Sequence, residues 1–592
     1  MIRNGILFLA ALLFLFQTPT SQPQQSPWRP TVMTMRGMVA SGHPLASEAG
    51  LRILKEGGNA VDAAIATWLV QGQVEPAMTG LGGDMYILIY QAKTGEVKFI
   101  NGTGPAPMGA TPDFYKSKGE MPAAGALSVE VPGAVSGALL ALQKYGSKRP
   151  AEVMAPALEI AEQGFPVSDV LAGQLRSGRE KLGRFPSTAK LWFKNGEPLK
   201  AGEVMVNKEL GKTLRAIASG GSDAFYRGEI AKLSLDYLKA NGGIHAAADW
   251  ANFRAHEDAP IVINYKGIDV YECPPNSQGH VMLQAMNILE GFNLREMGHN
   301  SAPYLHVITE ALKLSFADRN AYNSDPKFAQ PIPMKELLSK EYAAARRAEI
   351  NLKRAIEGEP LPGNPRARMT TREESNKQSY AAPQSLPAFV NSRDENQETG
   401  FTTYLAVVDK DRNMVSITSS ILDLFGSGMV VEGAGYFLNN RMRYFSLDPK
   451  DPNVVAPGKR TRQTINPALA LKNGKPYLVF GTPGADTQPQ TQLQFFLNVL
   501  EFGMGVQQAL EMPAVISTSF RESRYPQRVD GRLITPSALP KEVQEGLAAL
   551  GHRLDLRNNR GVGSVKAIMI HPQSNALMGG VSPTGDSYVI GW

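Results

Sequence analysis

A single cysteine, Cys273, stands among 592 residues, so the chain can close no internal disulfide and must be held together by its core. Within Val-Tyr-Glu-Cys-Pro-Pro that cysteine reads as a small buried apolar residue at a strand end rather than as a nucleophile. Histidine is scarce as well, eight in all, with no pair at metal-ligand spacing. No His-Glu-x-x-His, Cys-x-x-Cys, Gly-x-Ser-x-Gly or phosphate loop ending in Lys-Ser/Thr occurs, and Gly102-Thr103-Gly104 lacks the third glycine of a dinucleotide fingerprint. These absences point to no metal and no cofactor, and they favour a nucleophile that needs neither metal nor histidine. Long apolar runs are missing too, apart from residues 6–16. That run follows Arg3 and precedes small and polar residues up to Ser21, the pattern of a secretory leader over residues 1–21; the run is short for a membrane span, which favours a cleaved leader over an uncleaved anchor. The expectation is an exported protein, periplasmic or secreted, with no membrane span once the leader is removed. A net charge of +6 and a pI near 9.0 are modest for this length and gather into no basic block. Residues 340–354 mix Lys and Arg with Glu and Ala and read as an exposed helix. Nucleic acid is therefore not an expected partner.

What is present is a large apolar fraction, 43%, enough for an extensive core. Residues 47–56 carry apolar positions at helical spacing and stop at Gly57-Gly58; Asn59 then caps a second helix, with Asp62 at its third position, running to about residue 71. Residues 85–90 and 97–100 read as a strand pair. Helices are expected over 134–145, 150–163, 168–182, 210–218, 230–241, 282–290 and 302–320, with one strand-like segment over 261–273. From 364 to 400 the chain turns polar and rich in Pro, Ser, Gln and Asn, the composition of a flexible exposed segment. Strand patterns follow at 402–409, 414–420, 468–471 and 477–480, then helices at 490–502 and 506–511. Both element types throughout argue for an α+β protein of stacked layers.

Thr402 and Thr403 open the apolar run Thr-Thr-Tyr-Leu-Ala-Val-Val-Asp409 directly after the polar segment. A self-cleaving chain would expose a new amino-terminal threonine at such a place. That residue unites nucleophile and base, because its α-amino group, with a pKa of about 7.7–8.0, is partly unprotonated near neutrality.

Leu54-Lys-Glu-Gly-Gly-Asn-Ala-Val-Asp-Ala-Ala64 resembles the opening signature of the γ-glutamyltranspeptidase family. Gly80-Leu-Gly-Gly83, Val131-Pro-Gly-Ala134, Phe316-Ala-Asp-Arg319, Thr402-Thr403 with Val407-Val-Asp409, Leu438-Asn-Asn440, Asn466-Pro467 and Gly481-Thr-Pro-Gly484 follow in family order. The resemblance implies an N-terminal-nucleophile hydrolase with a four-layer αββα sandwich, cut between Phe401 and Thr402. A large subunit, 22–401, and a small subunit, 402–592, would then form the fold jointly. It further implies Thr402 as nucleophile, Ser420 as the hydroxyl supporting its amino group, and the backbone N–H groups of Gly484 and Ala485 as the oxyanion hole. An alanine keeps the N–H, so this last role requires a backbone there without positive φ.

The family's substrate clamp is replaced. Thr103 stands where an arginine pairs with the glutamyl carboxylate, and Gln463-Thr464 where a serine pair assists it. Leu422, Arg441 and Tyr444 occupy the positions that hold the α-amino group. Asp486, Gln488 and Gln490 are available for further polar contacts. Arg441 either inverts the polarity of the pocket, selecting an acid without the amino group, or points to solvent or to Asp448. The sequence thus leads to a hydrolase acting on a small-molecule amide or peptide, with a γ-glutamyl or related acyl group passed to water or an amine. A glutaryl-type acylase and a non-catalytic amide- or peptide-binding scaffold are the alternatives.

Overall fold

The computed structural model describes residues 27–329, 331–367, 401–558 and 564–592. The expected leader and most of the 364–400 segment lie outside them. Two seven-stranded antiparallel sheets stack face to face. One runs Tyr588–Gly591, Met38–Ser41, Phe401–Val408, Met414–Leu422, Asp84–Gln91, Glu96–Gly102, His256–Asp258. The other runs Val32–Thr34, Leu577–Val581, Lys566–Ile570, Lys475–Gly481, Ala468–Lys472, Ile268–Glu272, Ile261–Tyr265. Between them lies an apolar layer that includes Met38, Ala40, Tyr404, Ala406, Val408, Leu469, Val479 and Ile568.

Helices cover both outer faces. Ala60–Val74 packs on the first sheet against Phe401–Val408 and Met414–Leu422, while His280–Leu289 and Gln488–Leu500 pack on the second. Ala60–Val74 is apolar almost all round and nearly every residue in it is buried, as expected of a helix enclosed between layers. Its start is set by a complete capping box of Asn59 and Asp62. Asp62 also accepts from Ser147 N–H and Oγ, tying the helix to the next layer. Among the described residues no helix is long and apolar enough to cross a membrane.

The observed elements depart from the periodic reading where glycine or a tertiary contact intervenes. The 168–182 helix is two, Asp169–Ser177 and Arg179–Gly183, broken at Gly178. A Cβ on Gly178 would press on the Phe425 ring at 3.0 Å. Lys208–Tyr226 runs well past 218 and kinks at Gly221, φ 60°. The 261–273 segment is a hairpin turning at Lys266-Gly267, both with positive φ. The exposed helix at 340–354 is shorter, Lys340–Arg347, and its Arg346 is buried against Glu349 and Asp318. Cys273 is buried, and burial pushes its thiol well above the ordinary range.

The hairpin of Phe401–Val408 and Met414–Leu422 is clamped by Asp409. Its carboxylate accepts from Asp411 N–H at 3.0 Å, Asn413 N–H at 3.0 Å, Asn413 Nδ2 at 2.8 Å and, from the helix layer, Ala60 N–H at 3.0 Å. Asp409→Ala leaves these donors without an acceptor. It should lower stability to chemical denaturation by about 2–4 kcal/mol, whereas an unchanged midpoint would show that the turn holds without the carboxylate.

Candidate active site

Thr402 and Thr403 are neighbours with different surroundings, because side chains along a strand alternate between its faces. Thr403 faces the helix layer, where its hydroxyl donates to Glu75 Oε2 at 3.0 Å and accepts from Gln71 Nε2 at 2.8 Å. Thr402, 3% exposed, donates from Oγ1 to Ser420 Oγ at 3.1 Å. Ser420 in turn donates to the carbonyl oxygen of Phe401 at 2.9 Å and accepts from Leu422 N–H at 2.9 Å. A register irregularity between Phe401 and Thr403 creates this meeting. It leaves the Ser420 hydroxyl on the carbonyl of the peptide bond that joins Phe401 to Thr402.

Next to this hairpin, in the second sheet, runs Lys475–Gly481. Gly481 lets the strand pass the Tyr404 ring, to which a Cβ would come within 2.3 Å. The turn beyond it holds Gly484 at φ 131° and Ala485 at φ 49°. The condition of a backbone without positive φ is therefore not met: Ala485 adopts a left-handed conformation at a cost of about 1–2 kcal/mol. Something must hold it there. Gln278 Nε2 donates to both Ala485 O, at 3.0 Å, and Thr464 O, at 2.9 Å. Among the described residues neither the Gly484 nor the Ala485 N–H donates to any protein acceptor, so the turn offers two adjacent free donors, an anion-binding nest.

Asp486 is engaged within the chain. It pairs with Arg319 at 2.5 Å and accepts from Ser523 N–H at 2.7 Å and Ser523 Oγ at 2.6 Å. Burial alone would raise its pKa, but Arg319 and the Ser523 bonds outweigh it and hold the carboxyl below the usual range. Gln490 is likewise engaged, donating to Asp486 O and Ser517 O and accepting from Ser517 N–H. Gln488 accepts from Asn466 N–H at 3.3 Å.

The six positions of the replaced clamp are buried, and their polar groups find partners inside the chain except for Gln463 Oε1 and Arg441 Nε and Nη1, which have no hydrogen-bond partner among the described residues. Thr103 Oγ1 donates to Asn101 Oδ1 at 2.6 Å, and the Tyr444 hydroxyl meets Thr464 Oγ1 at 2.7 Å. Gln463 Nε2 donates to Asp84 Oδ2 at 3.0 Å. Leu422 is buried at φ 81°. Arg441, 0% exposed, reaches neither solvent nor Asp448, which accepts instead from Lys450 N–H. Its Nε lies 3.5 Å from Asp84 Oδ2, its Nη2 donates to Ser420 O at 3.1 Å, and its guanidinium sits 5.6 Å from the Tyr444 ring centre.

Asp84 was not among the sequence candidates, and its only signal was a carboxylate closing the Gly80-Leu-Gly-Gly run. Burial pushes its pKa up to about 6, against the lowering fields of Arg441 and the Gly104 and Gly133 N–H groups. Glu130 lies nearby, fully buried with both carboxylate oxygens unpartnered. Burial and the field of Asp84 push its carboxyl well above the ordinary range.

Elsewhere, His306, Glu310 and His552 meet although they are distant in sequence. His306 Nδ1 lies 2.8 Å from His552 Nε2, and Glu310 is already paired with Lys313 at 2.9 Å. The lysine supplies there the positive charge a metal would bring.

Ala485→Gly removes the strain at the turn and should stabilise the fold by about 0.5–1 kcal/mol in a denaturant titration. A destabilised variant would mean that the alanine methyl contributes packing that outweighs its backbone cost.

A sequence model of one family, Gamma-glutamyltranspeptidase, matches residues 46–592. The glutathione hydrolase-like YwrD proenzyme of Bacillus subtilis (strain 168) is 37% identical over 566 residues, covering 95% of this chain and 99% of its own. The Acylase ACY 1 proenzyme of Pseudomonas sp. (strain SE83) is 32% identical, covering 94% of this chain and 96% of its own. Among solved structures, the cephalosporin acylase from Bacillus halodurans superposes with a TM-score of 0.84 at 33% identity, covering 98% of this chain and 99% of that one.

Proposed function

Because the chain belongs to the gamma-glutamyltranspeptidase family, we propose that it is an exported, self-processing threonine hydrolase that cleaves an amide through a Thr402 acyl-enzyme. The observation that carries this reading is the relay from Thr402 Oγ1 to Ser420 Oγ to Phe401 O. In self-cleavage the Thr402 oxygen attacks the Phe401 carbonyl carbon and its proton leaves toward Ser420, whose own proton already points at the oxygen that gains charge. Collapse breaks the Phe401–Thr402 C–N bond as the Thr402 nitrogen takes up the proton released by its hydroxyl, and leaves an ester on Thr402 Oγ1. Water hydrolyses the ester, giving a Phe401 carboxylate and a free Thr402 amine. In turnover that amine is the base for the same hydroxyl. The Gly484 and Ala485 N–H groups are the donors for the tetrahedral oxyanion. The acyl group then passes to water or to an amine.

The residues around the site support an acyl group without an α-amino substituent. Thr103, Gln463, Thr464 and Tyr444 already have partners, and Leu422 offers none. Using the polar ones to grip a zwitterionic head group would leave those partners buried and unsatisfied, at about 1–3 kcal/mol each. The relatives include both glutathione hydrolases and acylases at similar identity, so their names do not decide between the donors.

Purified protein should appear as two fragments that divide the 64.1 kDa in proportion to length, about 41 and 21 kDa by intact mass, the larger lacking the leader. Thr402→Ala should abolish both cleavage and hydrolysis, and a variant still cut at this bond would overturn the assignment. Ser420→Ala, which removes one donor to the oxyanion, should slow self-cleavage by about 100-fold or more in a time course.

Kinetics of the processed enzyme on γ-glutamyl- and glutaryl-p-nitroanilide test the acyl preference. The glutaryl compound should show the higher kcat/KM, and a strong preference for the γ-glutamyl compound would reject the reading.

A further inference from the structure

Once the Phe401–Thr402 bond is cut, the nucleophile stands at the end of a strand, and chain ends fray unless something ties them down. Backbone pairing holds this end weakly. Met38–Ser41 pairs with Phe401–Val408 only over Ala406, Val407 and Val408, and on the other flank the register is irregular between Phe401 and Thr403. The Thr402 hydroxyl, bonded to Ser420, cannot be its own anchor, because it has to be free to attack.

A tie exists one residue on, on the opposite face. Thr403, 2% exposed, donates from Oγ1 to Glu75 Oε2 at 3.0 Å and accepts from Gln71 Nε2 at 2.8 Å, and Gln71 Nε2 also donates to Glu75 Oε2 at 2.8 Å. The three side chains close a ring. Space is kept for it: a Cβ on Gly42, the residue after Met38–Ser41, would come within 2.1 Å of Glu75 Oε1. The carboxylate thus stands between Gly42 and Thr403, on the flank where pairing with Met38–Ser41 has stopped.

The members of this ring are costly one by one. Leu405 and Val407, on the same face as Thr403, pack into the apolar helix layer, where an unbonded hydroxyl would be penalised. Glu75 sits at the C-terminal end of Ala60–Val74, and the helix dipole disfavours an anion there. Burial raises its pKa, opposed by the field of Lys566 and the bonds from Gln71 and Thr403, while Asp586 adds to the rise. Lys566 comes from the second sheet, where it pairs with Gly481, and its ammonium donates to Ser564 O and Oγ. Apolar side chains at 75 and 403 would fill this space at lower cost. The ring therefore calls for a use.

We propose that Glu75 and Gln71 are positioning residues for the nucleophile: through the Thr403 hydroxyl they hold the new strand end, and with it Thr402, beside Ser420 after the chain is cut. This deepens the hydrolase reading above and rests on it. Gln71 and Glu75 belong to the large fragment and Thr403 to the small one, so the ring joins the two fragments at the residue next to the nucleophile. Before the cut it is dispensable, since Phe401 continues the strand, pairs with Leu422 and engages Ser420 through its carbonyl. Afterwards Phe401 no longer restrains Thr402, and a displacement of about 1 Å can cost about 100-fold in rate.

Self-cleavage and turnover should respond differently to loss of the ring. Thr403→Val should cut itself within about 3-fold of the parent rate, while the processed variant should lose about 10- to 100-fold in kcat on whichever p-nitroanilide the parent hydrolyses, with KM within about 2-fold. Thr403→Ser, which keeps the hydroxyl, should recover kcat to within about 3-fold of the parent. Gln71→Ala, which opens the ring from the helix side, should lower kcat by about 3-fold or more and leave self-cleavage unchanged. An unchanged kcat in Thr403→Val, or self-cleavage slowed as much as turnover, overturns the proposal. If that variant does not fold, the same two outcomes in Gln71→Ala decide.

A second arm needs no substrate. In the cut protein, Thr403→Val should speed hydrogen exchange over residues 403–406 by about 10-fold, and in the uncut Thr402→Ala background it should not. Exchange unchanged in the cut variant, or accelerated equally in both backgrounds, also overturns the proposal. A parent that never cuts itself rejects the hydrolase reading instead. A parent that cuts itself but hydrolyses neither p-nitroanilide leaves the exchange arm to decide.

Discussion

Everything at the site depends on one hairpin, Phe401–Val408 paired with Met414–Leu422, held in the middle of a sheet that is covered on both faces. Burial on both sides makes its register rigid, since a slip by one residue would exchange the two faces along the whole strand. That rigidity separates two adjacent threonines. Thr403 is locked against Gln71 and Glu75 under the helix layer, while Thr402 is left beside Ser420. The local register irregularity then carries Phe401 O onto the Ser420 hydroxyl. The contact that would assist self-cleavage is thus produced by strand pairing.

The second constraint is electrostatic. Asp84, Glu130 and Arg441 are fully buried behind Ser420, where the desolvation of each charge is large and mutual attraction offsets it only in part. Asp84 survives as a candidate anion because it collects N–H donors from Gly104 and Gly133 as well as Gln463. For Glu130, burial and the field of Asp84 raise the pKa well above the ordinary range. Arg441 is left with a single carboxylate and one carbonyl. Its Nη2 supports the Ser420 strand, while Nε and Nη1 have no hydrogen-bond partner among the described residues.

The elements written into the local sequence were the legible ones. The helix started by Asn59 and Asp62 was readable because a capping box is a short-range pattern. The strand at Thr402 was readable from its apolar run. The strands Val32–Thr34, Met38–Ser41, Lys566–Ile570, Leu577–Val581 and Tyr588–Gly591 escaped notice. They are short, and although Lys566–Ile570 and Leu577–Val581 pair with each other as a hairpin, the other pairings reach strands far along the chain, which no local pattern records. The same limit applied to charge. Arg441 could be found by its place among family motifs, but its partner Asp84 could not, because burial and contact are properties of the fold. Ala485 shows a third kind of failure: the sequence cannot say that a position demands positive φ when the residue occupying it is not glycine.

A buried polar side chain that already has its partners is a poor ligand, because engaging a substrate means giving up a bond and orphaning the group at its other end. Thr103, Gln463, Tyr444 and Asp486 look suited to recognition by residue type, and all are committed in this way. Groups that can gain from a ligand are those left unsatisfied, and the Gly484 and Ala485 N–H pair is among them. That pair suits an oxyanion that exists only during the reaction. Which acyl group a site of this kind accepts therefore depends on which polar groups folding has left unpaired.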